Sequence, residues 1–273
     1  MAHKPVPAQK GRELVDQAAE IARSPELEEV ALQRIAAEAR HLMDSNAVGA
    51  HMVLGIVAAI RGDAALVRKH YEIALGLDRG AVTWFNFSMS LAVVDEHSDA
   101  LAVAIRGLEH HPDDAALTDH AADAALESGR FLEAERLCHR RERLNVEGGY
   151  RWRDEVRQLS AAVQSGTMTE AGAAAVIELM TKVQREAEAS TVGLELRRDG
   201  AGAFLYDRYV RCSPKVASNL NWALTSEIVD REHLDADPAR AFLVAFLGVA
   251  EARNAKGDLD SRFRAAARRW RSG

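Results

Sequence analysis

Two stretches of this chain, 67 positions apart, carry the same arrangement of residues. Residues 62–78 contain Gly62-Asp63, Tyr71, Ala74-Leu75 and Leu77-Asp78, and residues 129–137 contain Gly129-Arg130-Phe131 and Glu133-Ala134. In both, a glycine and a polar residue make a turn, and small and apolar residues follow at helical spacing. The separation is close to twice about 34 residues, the length of one repeating helical hairpin. A single hairpin cannot bury its apolar face alone, so tandem hairpins stack into a continuous core with a long concave surface. A surface of that kind usually holds another protein.

Three units fit between residues 48 and 147. In the first, Leu54-Gly55 puts a small residue where two helices cross, Gly62-Asp63 makes the turn, and Tyr71, Ala74 and Leu77 line one side of the second helix. The second starts at Ala81 with Trp84 and Asn86, carries Ala100 and Leu101, and closes at His111-Pro112. Its turn, Asp95-Glu96-His97, has no glycine. The third has Ala122 at the close crossing, Gly129-Arg130-Phe131 at the turn and Ala134 beyond it.

Together these residues resemble the tetratricopeptide repeat family, over about 100 residues. That family lines its concave groove with the first helix of each hairpin. Carried over to the matching positions, the resemblance implies a groove formed by Met52, Ile56 and Ile60, then Phe85, Met89 and Val93, then Asp119, Asp123 and Glu127. One end of such a groove is apolar and the other acidic. Family members that read chaperone tails clamp a C-terminal carboxylate with Lys, Asn and Arg on these helices. The matching positions here are apolar or acidic, so that clamp is not expected.

Upstream, residues 11–23 and 25–43 read as a helical pair, the second opened by Ser24-Pro25, and could form a divergent unit or a cap for the stack. Downstream, Gly148-Gly149 marks a boundary, which divides the chain into an N-terminal cap plus solenoid, residues 1–149, and a second domain, residues 150–273. Helices are predicted over 150–164 and 169–187, with Thr167 and Glu170 at capping-box spacing. Residues 191–196 then alternate, Arg198-Asp199-Gly200 turns, and residues 203–211 are rich in aromatic and branched side chains, which predicts a β-hairpin. Ser213-Pro214 opens a helix whose face is Val216, Leu220, Leu224 and Ile228. Residues 241–249 are apolar throughout. As a strand they supply the third member that a hairpin needs for independent stability. As a helix turning at Gly257-Asp258 they would make another repeat and an all-α chain. The strand is favoured, and the expected fold is a mainly α helical-hairpin solenoid followed by a smaller α+β domain ending in a basic terminal helix.

Charge is uneven along the chain. Residues 1–149 hold 16 Lys and Arg against 24 Asp and Glu, a balance of −8, and residues 150–273 hold 19 against 17, or +2, together the −6 of the whole chain. Binding to nucleic acid draws mainly on neutralised phosphates, so an acidic solenoid disfavours it and points to a neutral or basic protein partner. Residues 1–10 contain no apolar run, which argues against a secretory signal, and residues 48–60 are too few to cross a bilayer. Cys138 and Cys212 have neither metal-ligand spacing nor a disulfide framework, so reduced thiols in the cytoplasm are expected.

Candidates for chemistry are sparse. His110, His111, Asp113, Asp114, His120 and Asp123 have the ligand types of a metal site, but His111-Pro112-Asp113-Asp114 stands at an inter-repeat turn and no compact ligand motif is present. Cys138 beside His139, or Cys212 with His233, is a weak nucleophile candidate. Asp199-Gly200-Ala201-Gly202 lies between strands and opens no helix, so it cradles no phosphate. No metal, cofactor or catalytic residue is assigned. The expected function is a protein-binding module, and the rival is an enzyme or small-molecule site in the second domain with Arg208, Arg211, Asn219, Asn221 and Trp222. Residues 262–271 carry five arginines and no acid, with Phe263 and Trp270 on one helical face, which would suit the acidic stripe within one chain or between two copies.

Overall fold

The computed structural model describes residues 7–23, 28–199, 202–231 and 242–249. Ser24-Pro25, His233, Gly257-Asp258 and the basic stretch 262–271 lie outside these residues. Among the described residues the chain is mainly α, with helices α1 (Pro7–Arg23), α2 (Glu29–His41), α3 (Ala47–Ile60), α4 (Ala64–Leu77), α5 (Ala81–Val93), α6 (His97–His110), α7 (Ala115–Glu127), α8 (Phe131–Arg143), α9 (Arg153–Gln164) and α10 (Glu170–Glu186). A small α+β region follows, with strands β1 (Thr191–Arg198) and β2 (Phe204–Arg211), helix α11 (Pro214–Val229) and strand β3 (Phe242–Val249). Residues 242–249 therefore form a strand, the favoured of the two readings of this apolar run. Two compact units divide between His120 and Ala121, within α7 and upstream of Gly148-Gly149.

One turn geometry recurs. Gly62, Asp95, Gly129 and Gly166 all have left-handed backbones, with φ of 77, 60, 72 and 76°. At each, the amide of that residue donates to a carbonyl three positions back and the next amide to one five positions back: Asp63 to Ala58, Glu96 to Leu91, Arg130 to Ala125 and Thr167 to Ala162. This pair of hydrogen bonds satisfies the last carbonyls of a helix and reverses the chain. Glycine reaches φ > 0 without a Cβ penalty, and Asp is among the few other residues that visit this region. The first three turns are spaced 33 and 34 residues apart. The fourth reverses the chain between α9 and α10, a hairpin that the sequence reading leaves outside the repeats. Asp63 and Asp114 then cap the next helices, accepting from the amides of Leu66 at 2.9 Å and Leu117 at 2.8 Å.

In the first unit, α3 is buried on every side from Gly49 to Ala59 apart from the half-buried His51, and α5 from Thr83 to Ala92. At Gly55 an added Cβ would stand 2.4 Å from the Tyr71 ring, so the absent side chain is what lets α4 close onto α3. Tyr71 is fully buried, stacks on Phe87 with ring centroids 5.2 Å apart, and accepts a hydrogen bond from the Ser90 hydroxyl at 3.1 Å. Three helices meet at this one phenol. Gly107 does the same for α6, where a Cβ would come within 2.8 Å of Trp84.

On the α3–α4 hairpin, His51 and His70 face each other with their Nδ1 atoms 3.0 Å apart. One must donate and the other accept, so the contact fails if both rings are charged. Burial lowers both pKa values, and for His70 the charges of His51, Lys69 and Arg40 lower it further.

In the second unit, β2 is central, antiparallel to β1 and parallel to β3, with α11 as the crossover. Val192, Leu194, Leu196, Phe204, Tyr206, Val210, Phe242 and Phe246 are its buried apolar residues. The open side of β3 is tied by α11, where the Asn221 amide donates to the Phe246 carbonyl at 2.9 Å and accepts from its amide at 2.8 Å. Ser213 caps α11, accepting from the Val216 amide at 3.3 Å. For α10 the cap is Thr169, which accepts from Gly172 at 3.1 Å, and not Thr167, whose hydroxyl pairs with Ser165. Glu170 correspondingly turns outward and accepts from the Leu132 amide at 2.8 Å.

Two outcomes follow from this packing. Gly55→Ala should destabilise the chain by about 1–3 kcal/mol through overpacking against Tyr71, and Tyr71→Leu should recover part of that loss, as read by urea denaturation. An unchanged midpoint would remove Gly55 from the crossing. For the histidine pair, the unfolded rings titrate near 6.5 and the folded ones lower, so the unfolded chain binds more protons below 6.5. Stability should be level above that pH and decline as pH falls below it, and His70→Gln should flatten the decline.

Candidate functional site

The positions carried over from the repeat resemblance are mostly inside the protein. Met52, Ile56, Phe85 and Met89 are 3–5% exposed, and Ile60 and Val93 are half-buried. The Thr83 hydroxyl lies 3.8 Å from the Met52 sulfur, and the Phe85 ring packs against His120 at a centroid distance of 5.3 Å. These side chains are occupied in packing and offer a partner little apolar area.

The acidic positions are also committed. Asp119 is half-buried and Glu127 is buried. Asp123 uses both oxygens, accepting from the Tyr150 hydroxyl at 2.8 Å and from Arg151 at 2.8 Å. Burial and the adjacent Asp123 charge push the Tyr150 phenol well above its ordinary pKa, so it stays a donor at any physiological pH. Asp123 thereby ties the segment after α8 back to α7. Arg141 steadies the same segment, donating to the carbonyls of Val146 at 3.2 Å and Gly148 at 2.8 Å.

An accessible feature of the first unit lies on the second helices. A cleft of about 450 Å³ runs between α4 and α6 over α5. Its floor is apolar, with Trp84, Phe87 and Leu91 from α5, and its walls include Leu75 and Val103. Arg68, Glu72, Arg79, Asp99, Arg106 and His110 form its rim. At one end Arg68 pairs with Asp99 at 2.5 Å and with Glu96 at 3.5 Å. Towards the other end, the Arg106 guanidinium lies 5.2 Å from the Trp84 ring centre, and His110 stacks on the same ring at 5.6 Å and 19°. Trp84 is 2% exposed, and its indole N–H has no hydrogen-bond partner. In the wall, Gly76 lies within α4 with no atom within 4 Å of where a Cβ would stand. A helical glycine is less stable than alanine by about 0.5–1 kcal/mol, and packing within the chain does not explain this one.

The other candidates disperse. His111 bonds the Arg79 carbonyl at 2.7 Å, Asp114 caps α7, and His120 lies on Phe85, so the histidine and carboxylate series does not converge. Among the described residues no group of three or more His, Cys, Asp or Glu is placed to hold a metal. Cys138 is buried, and burial pushes the Cys212 thiol up. In the second unit Arg208 sits on the buried face of the sheet, and its Nη1 donates to Thr181 and Gln184 of α10, both at 3.1 Å. Asn221 is committed to β3, Asn219 is exposed, and Trp222 is 77% exposed on α11. These residues do not line a common pocket among the described residues. No described helix is long and apolar enough to cross a membrane.

The cleft carries no sequence signature of its own. Its cations are scattered singly over α4, the loop that follows it and α6, and its floor belongs to a helix whose residues read as core. The signals that could have found it are Gly76 inside a helical pattern and the lack of any charged residue in residues 81–93.

Comparison with protein-family models, with curated proteins and with solved structures returns no match for this chain.

Because Asp123 holds Tyr150 and Arg151, its role is testable as structure. Asp123→Ala leaves a buried phenol without its acceptor and should cost about 1–3 kcal/mol, whereas Tyr150→Phe should cost less. Denaturation of both variants checks the order, and a neutral Asp123→Ala would return that carboxylate to the surface.

Proposed function

We propose that this chain is a protein-binding module built from tetratricopeptide-like repeats, which acts by holding a partner and carries out no chemistry. The observation that carries this reading is the recurrence of one turn at Gly62, Asp95 and Gly129, at spacings of 33 and 34 residues, each with the same pair of backbone hydrogen bonds. Equal turns at that period generate equivalent helical hairpins, and arrays of such hairpins present extended surfaces to other proteins. The cleft between α4 and α6 adds an accessible place for a partner to bind. A cytoplasmic setting is part of this proposal, and the two free thiols, Cys138 and Cys212, support it.

An enzymatic reading of the second unit has less support. Arg208 holds α10 to the sheet, Asn221 closes the side of β3, and Trp222 is turned to solvent, so the residues that would share a pocket serve separate tasks.

Photo-crosslinking in the native host tests the reading. A crosslinking amino acid replaces Ile73 or Leu77 on α4, which are 40 and 57% exposed, or Leu132 on α8, which is 40% exposed. Recovery of the same discrete protein adduct from neighbouring positions is the expected outcome. If none of these sites yields a protein adduct, the interaction reading fails.

A further inference from the structure

We propose that the cleft between α4 and α6 is the partner-docking surface, and that it takes an extended segment in which apolar side chains alternate with carboxylates. This rests on the reading of the chain as an interaction module and adds to it the surface and the chemistry of the partner.

The case starts from an imbalance of hydrogen-bonding groups. The rim and floor hold three donors without an acceptor: the Trp84 indole, buried and unpartnered, and the guanidinium groups of Arg79 and Arg106, which have no ion pair among the described residues. Arg68 and Asp99 satisfy each other, so Glu72 is left as the one other carboxylate on the rim. Arg79 and Arg106 are exposed, so a molecule that covers them is favoured when it brings acceptors in place of water. Arg106 also stands 5.2 Å from the indole centre, and a guanidinium suits bidentate recognition of a carboxylate.

Dimensions select the shape of the occupant. Along α6 the lining runs from Asp99 to His110, about 16 Å at 1.5 Å per residue. A volume of about 450 Å³ over that length makes a narrow trough, matched by roughly five residues of extended chain at about 3.3 Å each. Such a segment places alternate side chains on the apolar floor and the remainder at the rim. Gly76 leaves space in the wall for a backbone to approach. The N-terminal half of the chain is acidic overall, which favours a neutral or basic partner at long range. Within the cleft the unpaired charge is positive, and charges beyond about 8 Å are largely screened at physiological ionic strength.

The test uses the intact chain and a blocked hexapeptide, Glu-Leu-Phe-Glu-Leu-Asp, with its lysine-for-acid counterpart and decanoate as comparison probes. Binding is read from the indole N–H resonance of Trp84, assigned with Trp84→Phe, and from fluorescence anisotropy. The acidic peptide should shift that resonance saturably. Arg79→Glu with Arg106→Gln should weaken binding at least tenfold at an unchanged melting temperature, and Gly76→Val should weaken it several-fold. Absence of a saturable shift, equal binding of the lysine peptide, or indifference to the arginine changes overturns the proposal. Binding of decanoate with the peptide silent also overturns it and assigns the cleft to a small carboxylate. If crosslinks from Ile73 or Leu77 persist while the peptide fails, the module reading stands and this docking surface does not.

Discussion

The left-handed turn that ends α3, α5, α7 and α9 is the constraint on which the helical part of this chain depends. Each turn satisfies the terminal carbonyls of one helix and sends the chain back as the next, and the Asp that follows Gly62 caps α4 at once. Reversal by so few residues leaves little freedom in how paired helices cross, and residues such as Gly55 then decide how closely they approach. Tyr71 shows what the approach achieves. Its ring fills the space left by Gly55, stacks on Phe87 of the next hairpin and accepts from Ser90, so a single buried side chain couples two hairpins.

The repeats were legible where the turn chemistry is conventional. Gly62-Asp63 and Gly129-Arg130 announce themselves, and from them the spacing of the units follows. Asp95 holds the same position without glycine, because a short acidic side chain tolerates the left-handed region that most residues avoid. Gly166 was visible as a separator between two helices, yet Thr167 and not Asp or Arg follows it, and α9 and α10 contain no aromatic residue to align with the other hairpins. The apolar run at 242–249 became a strand because a hairpin with one buried face needs a further partner, a requirement of tertiary structure that decided where local periodicity could not.

The expected groove was less legible, and the reason is physical. A helix that turns one face to a groove and the other to the core should show a polar or at least a mixed side. Residues 47–60 carry His51 on an otherwise apolar helix, and the polar residues of 81–93, Thr83, Asn86, Ser88 and Ser90, are uncharged and buried with the rest. Family spacing located the first helices of the hairpins, but it carried no information on whether Met52 or Phe85 would be reached by solvent. Asp119, Asp123 and Glu127 likewise share a helical face without sharing a task, since Asp123 is spent on Tyr150 and Arg151. Equal spacing on a helix establishes a common direction and leaves open what stands there.

With α3 and α5 enclosed, the surface chemistry of the first two hairpins falls to α4 and α6, whose outward residues are free to vary without disturbing the core. This division places apolar floor and charged rim in one cleft, since the floor comes from an enclosed helix and the rim from two exposed ones. It also separates local from global electrostatics. A net charge of −6 says how the chain behaves towards distant ions, while the rim of the cleft presents Arg79 and Arg106, neither in an ion pair among the described residues. Desolvation would strengthen contacts to these two groups relative to the many screened charges elsewhere, so for the proposed docking the local charges of the rim weigh more than the sum of the charges.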